Sequence, residues 1–149
     1  MGKLTDKATI TARIERTLYE THLSTGSQVI VVDEPAEVGG QDRGMRPGEL
    51  LAGSLAACTV ITLRMYADRK GWPLDSAVVH VEYTSDPVTK RSLFTMKLIL
   101  NGDLGEDQRM RLLEMADRCP IHRALQNPID VETILIEDAS VRHPSPSGQ

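Results

Sequence analysis

Apolar and polar positions alternate along the first third of the chain in two runs. Ile10, Ala12 and Ile14 share one face, with Thr11, Arg13 and Glu15 on the other. Gln28 to Val32 is a solid block of Val and Ile, too many in succession for a surface helix. Ser24-Thr25-Gly26-Ser27 is turn material between them. The N-terminal part therefore reads as a hairpin of two strands, the first within 8–19 and the second over 28–32, closed by Asp33-Glu34-Pro35. Residues 36–46 carry Gly39, Gly40 and Gly44 without an apolar period and read as a flexible loop.

At Pro47 the pattern changes. Proline suits the first helical position, where its missing N–H costs nothing, and Glu49 in the first turn complements the helix dipole. From Leu50 to Leu63 nearly every position is apolar or small, the mark of a helix buried on most sides. Arg64, Asp68, Arg69 and Lys70 mark its emerging end, and Gly71 suits the residue that stops it. Two more strands follow. One runs from Ser76 to Tyr83 with Val79, Val81 and Tyr83 on one face. The other runs from Ser92 to Leu100 with Phe94, Met96, Leu98 and Leu100 on one face. Glu106 to Arg118 reads as an amphipathic helix, Ile121 to Leu125 as a short further turn, and Ile129 to Ile136 as a last strand. The order is β-β-α-β-β-α-β, with strands in hairpin pairs. That is an α+β fold with largely antiparallel sheets, one domain over residues 1–142 and a disordered tail over 143–149.

Composition narrows the function. The 149 residues suffice for one core without disulfides. Aromatics are 3% of the chain, so Leu, Ile, Val, Ala and Met must fill that core. A net charge of −4 with no basic stripe argues against nucleic-acid partners. The start has no apolar leader, and the most apolar stretch is broken by Gly53, Ser54, Thr59, Thr62 and Arg64, so no membrane span is expected. A cytoplasmic protein is the expectation, which makes two cysteines worth following, since disulfides there tend to be catalytic or sensory.

Cys58 and Cys119 lie 61 positions apart. Cys58 sits about 16 Å along its helix from Pro47, beyond the reach of that helix's dipole, so a reactive thiol there needs a cation from elsewhere. Cys119 precedes Pro120. If Pro120 opens a short helix, Cys119 is its N-cap, with unpaired N–H groups near its sulfur. Both thiols also suit a buried core. Four His and two Cys without a close pair do not make a closed metal site, and His122 reads as a surface or capping residue. The glycine loop lacks the spacing of a phosphate-binding loop, though it sets Arg43 and Arg46 close to the helix start.

Asp33-Glu34-Pro35, Gly39-Gly40, Pro47-Gly48-Glu49-Leu50-Leu51, Leu55-Ala56-Ala57-Cys58-Thr59 and, later, Cys119-Pro120-Ile121 together resemble the OsmC/Ohr family, over about Ala8 to Glu137. The resemblance implies an intertwined α+β homodimer with two buried helices at its centre. It implies a thiol-dependent peroxidase for organic hydroperoxides, with Cys58 attacking the peroxide, Cys119 resolving the sulfenic acid to a disulfide, and an external lipoyl-type dithiol as reductant; no bound cofactor is implied. Glu49 matches the family's active-site glutamate. Nine residues at 100° each put it opposite Cys58 on one helix, so it is expected to serve the other subunit. The family's activating arginine has no match at the position eleven before Glu49, where Val38 stands. Arg43 is the candidate substitute; Arg46, Arg13 and Arg16 are others within reach. A non-catalytic or redox-sensing member that binds a small apolar molecule at the dimer interface is the alternative.

Overall fold

A computed structural model describes residues 7–137. Three short strands, β1 (Thr11–Ile14), β2 (Thr21–Thr25) and β3 (Gln28–Val32), form an antiparallel sheet in the order β1-β2-β3. A long helix α1 (Pro47–Lys70) follows, then an antiparallel hairpin of β4 (Leu74–Ser85) and β5 (Ser92–Gly102), then helices α2 (Glu106–Ala116) and α3 (Pro120–Gln126).

The expected first hairpin is a three-stranded meander. Its middle strand escaped notice because Thr21-His22-Leu23-Ser24 offers one large apolar residue, and because the preceding turn is built without Gly or Pro. Leu18 takes the left-handed conformation there at φ 48°, and Glu20 N–H bonds the Thr17 carbonyl at 3.2 Å. The turn after β2 shrinks to Gly26-Ser27, since Thr25 pairs with Gln28.

Residues 36–46 are expected to be flexible but are tied down. The buried Asp33 carboxylate accepts backbone N–H groups of Glu34 (2.8 Å), Gln41 (3.2 Å) and Arg43 (3.2 Å). A Cβ at Gly40 would run into the Glu34 carbonyl, and one at Gly44 into the Val31 carbonyl. These glycines serve close backbone approach, and the loop delivers the chain to α1 in a fixed place.

On α1, Ala52, Leu55, Thr59, Leu63, Tyr66 and Ala67 are buried at helical spacing. The core lies between this stripe, β4–β5 and α2, where Leu63, Leu74, Leu104, Leu112 and Ala116 cluster against Leu98 and Leu100. Arg64 fixes the helix to β4 by donating to the carbonyls of Leu74 (2.7 Å) and Asp75 (3.1 Å). Arg109 fixes α2 to the end of β5 through the carbonyls of Leu100, Gly102 and Leu104. By length and composition α1 also passes for a membrane span, as core helices can. In the fold it is the core helix.

Two surfaces stay uncovered. Leu51, Ser54, Ala57, Ile61 and Met65 form a second stripe on the opposite side of α1, exposed throughout. The expected last strand is the other departure. Residues 127–137 carry no regular structure, and Ile129, Val131, Ile134, Leu135 and Ile136 are exposed. Alternation alone cannot make a strand. It needs a pairing partner, and this segment lies against none of the described strands. The tail over 143–149 lies outside the described residues.

Candidate active site at the start of α3

The site forms where α3 begins against the middle of α1. Pro120 is the first residue of α3 and has no N–H to offer. The next two N–H groups, which no helical carbonyl reaches, lie at the two sulfurs. His122 N–H donates to Cys119 Sγ at 3.5 Å, making Cys119 the N-cap, and the Ile121 N–H lies close enough to Cys58 to favour its thiolate. Cys119 is in turn close enough to Cys58 to disfavour that ionisation. Cys119 is fully buried and Cys58 half-buried, and both are free. α1 presents Cys58 on the border between its buried and exposed stripes.

Burial pushes the Cys58 thiol up from its ordinary value, and the Cys119 thiol pushes it the same way. The Ile121 N–H and the Thr62 hydroxyl oppose this without overcoming it. The N-terminus of α1 is too distant to act on Cys58. The helix start near Cys58 is that of α3, brought in by a contact no local pattern encodes.

Glu49 and Arg43 are not beside the thiols in this chain. The Glu49 carboxylate turns back onto the helix start, accepting from the Arg46 backbone N–H at 2.9 Å and from its guanidinium at 3.1 Å. Those two bonds hold its carboxyl below its ordinary value. The pair is half-exposed at the tip of α1. Arg43 lies 3.5 Å from Glu20 of the loop before β2, while its backbone is held by Asp33. Of the four candidates the fold therefore joins Cys58 to Cys119, and it joins Glu49 to Arg46 rather than to Arg43. His80 is exposed on β4, away from the thiols.

Two cavities flank α1. A wide one of about 600 Å³ opens between the three-stranded sheet and the exposed side of the helix, lined by Ile10, Leu23, Ile30, Met45, Leu50 and Gly53 among others. A slot of about 200 Å³ lies between β5, α1 and α3, with Leu55, Phe94, Met96, Leu125 and His122 in its wall.

A mixed α+β chain that brings two free thiols close together at the start of a short helix defines a class of two-cysteine proteins. The family profile described as OsmC-like protein matches residues 39–134, well over half of the chain and both cysteines, and the chain belongs to that family. It is similar to the uncharacterized protein YmaD of Bacillus subtilis, 26% identical over 121 residues, covering 74% of this chain and 79% of the relative. An OsmC-like protein of Mycoplasma pneumoniae shares the fold at a TM-score of 0.72 and 20% identity, over 83% of this chain and 89% of that one. The organic hydroperoxide resistance protein OhrB of Bacillus subtilis aligns at a TM-score of 0.57 and 25% identity, over 85% and 96%.

Proposed function

We propose that the protein is a thiol-dependent peroxidase that reduces organic hydroperoxides, with Cys58 as the attacking thiol and Cys119 as the resolving one. The proximity of the two thiols at the start of α3 is the observation that supports this most directly. The Cys58 thiolate attacks the terminal peroxide oxygen. The O–O bond breaks, an alcohol leaves with one proton, and Cys58 becomes a sulfenic acid. Cys119 displaces hydroxide from that sulfur, giving a disulfide and water. A lipoyl-type dithiol restores both thiols by exchange, and a reducing cytoplasm suits such a cycle.

The elevated Cys58 thiol requires a cation in the active form, and none of the described residues sets one beside it. A homodimer meets this need. The exposed stripe of α1 calls for a cover, and a second copy of the same stripe offers one of matching apolar character. Cys58 lies on the border of that stripe, and the Arg46–Glu49 pair projects from the tip of the same helix. In the dimer the pair from one copy serves Cys58 of the other, with Arg43 a second cation at that edge. The Leu- and Met-lined walls favour an alkyl hydroperoxide over hydrogen peroxide.

The test is steady-state consumption of cumene hydroperoxide with dihydrolipoamide as reductant. Turnover faster than with hydrogen peroxide, and lost in Cys58→Ser, is expected. A second reading has its own observations: a Cys58 thiol held in its neutral form and, separately, a wide apolar cavity lined by neither cysteine also fit a non-catalytic binder of a small apolar molecule. Absence of turnover with any dithiol, alongside saturable binding of an apolar fluorophore, would establish that reading instead.

A further inference from the structure

Gly48 carries the buried stripe of α1 back into the first turn, four positions before Ala52. It stands between Arg46 and Glu49, the ion pair at the helix tip. Facing it is the end of the β4–β5 hairpin. A Cβ at Gly48 would meet Tyr83 Cε1 at 3.3 Å and Cδ1 at 3.4 Å, tighter than ordinary van der Waals contact. A side chain there would have to push either the ring or the helix aside.

The ring is itself held. Phe94, its cross-strand partner, stacks on it with centroids 4.8 Å apart and planes 21° from parallel. The Tyr83 hydroxyl lies 3.4 Å from Ser92 Oγ. Phe94 in turn lines the small slot together with Leu55 of α1 and Leu125 of α3. The hairpin thus sets a stacked aromatic pair where the helix stripe carries no side chain. Aromatic pairs of this kind contribute beyond the area they bury, which makes the seat stiff.

The consequence falls on the charges beside it. Glu49 accepts from the Arg46 backbone N–H at 2.9 Å and from its guanidinium at 3.1 Å. Those bonds tie the half-exposed pair to the first turn, so the pair points wherever the tip of α1 points. Glu49 projects about 100° around the helix axis from Gly48, so the seat of Gly48 on Tyr83 also sets the roll of the pair. Resting on the peroxidase reading, in which this pair serves Cys58 of a second copy, we infer that Tyr83 is a positioning residue whose ring seats the tip of α1 and aims Arg46 and Glu49. It takes no part in the bond changes at sulfur. The ring does the seating, since the hydroxyl's contact with Ser92 is long.

The test is the second-order rate of sulfenic acid formation at Cys58 with cumene hydroperoxide, in a Cys119→Ser background. Tyr83→Leu should slow it at least about tenfold, because small misplacements of a charged group are costly in rate. Tyr83→Phe should stay within about twofold of the parent, since it keeps the ring. Arg46→Gln should also be slow. The decisive variant combines Tyr83→Leu with Arg46→Gln. A ring that acts through the pair has nothing left to aim, so the double variant should match Arg46→Gln alone. A generally loosened core would instead multiply the two losses. Tyr83→Leu or Arg46→Gln reacting at the parent rate, or a double variant slower by the full Tyr83→Leu factor, would overturn the proposal and leave the peroxidase reading intact. Absence of sulfenic acid in the Cys119→Ser parent would overturn both. If Tyr83→Leu loses its native circular dichroism spectrum, Gly48→Ala carries the same cycle, since it displaces the tip and leaves the ring in place.

Discussion

Oxidation of the thiol pair should change the stability of the whole chain by a calculable amount. Cys58 and Cys119 are 61 positions apart, so the disulfide closes a loop of about 60 residues, two fifths of the sequence. Tying such a loop removes denatured-state entropy of about 14 cal/mol/K by the chain-entropy relation, or about 4 kcal/mol at 25 °C. Little of this is lost to native-state rearrangement if the two thiols, already neighbours at the start of α3, need to move little to join. At about 2–4 °C per kcal/mol for a chain of this size, the melting temperature should rise by about 8–16 °C. The assay is thermal unfolding by circular dichroism of reduced protein, of protein oxidised with one equivalent of diamide, and of Cys119→Ser treated identically. Native protein should shift upward on oxidation and return after dithiol treatment, whereas Cys119→Ser should not move. Serine keeps a good N-cap at the start of α3, so that control should fold. An oxidised form that melts at or below the reduced one would refute the preformed geometry, since it would mean that the thiols must leave their packed positions to join.

Other perturbations probe the scaffold around the pair. Leu112→Ala, at a fully buried position in the core between α1 and α2, should cost about 3 kcal/mol in urea unfolding and slow disulfide closure, because α2 carries the chain to Cys119. Ile61→Glu, on the exposed stripe of α1, should leave secondary structure intact yet yield a monomer by light scattering, with peroxide turnover greatly reduced. Asp33 should make the loop before α1 acid-sensitive. Burial alone would raise its carboxyl, but the N–H groups of Glu34, Arg43 and Gln41 and the Arg43 charge together hold it below its ordinary value. Its stabilising effect is therefore fully present above the ordinary carboxylate range and fades as pH falls through the lowered value. Asp33→Asn should flatten that acid limb in a pH series of melting temperatures.

The sequence spoke most clearly where one local rule decided the outcome. Pro47 and Gly71 bound α1 because one lacks an N–H and the other accepts φ 67°. Alternation in Phe94, Met96, Leu98 and Leu100 marks the inner face of β5, because a pleat has period two. Cys119 as an N-cap was legible from Pro120. The misses share a different cause. β2 was hidden by a turn closed on Leu18, a residue that rarely takes that conformation. The expected strand over 129–136 has the right alternation but pairs with none of the described strands. Within the candidate site, the spacing of the cysteines and glutamate was readable, but partner choice was not. Arg46 holds Glu49, Arg43 goes to Glu20, and the N–H groups that reach the thiols come from α3. Those choices depend on where separate elements meet.

The most direct measurement is intact mass with a free-thiol count after one equivalent of an alkyl hydroperoxide, on native protein, Cys58→Ser and Cys119→Ser. A thiol peroxidase should lose two hydrogens and both thiols in the native chain, gain one oxygen at Cys58 in Cys119→Ser, and remain unmodified in Cys58→Ser. Two untouched thiols in the native protein would contradict the account and leave an OsmC-like fold that keeps the cysteines without their chemistry.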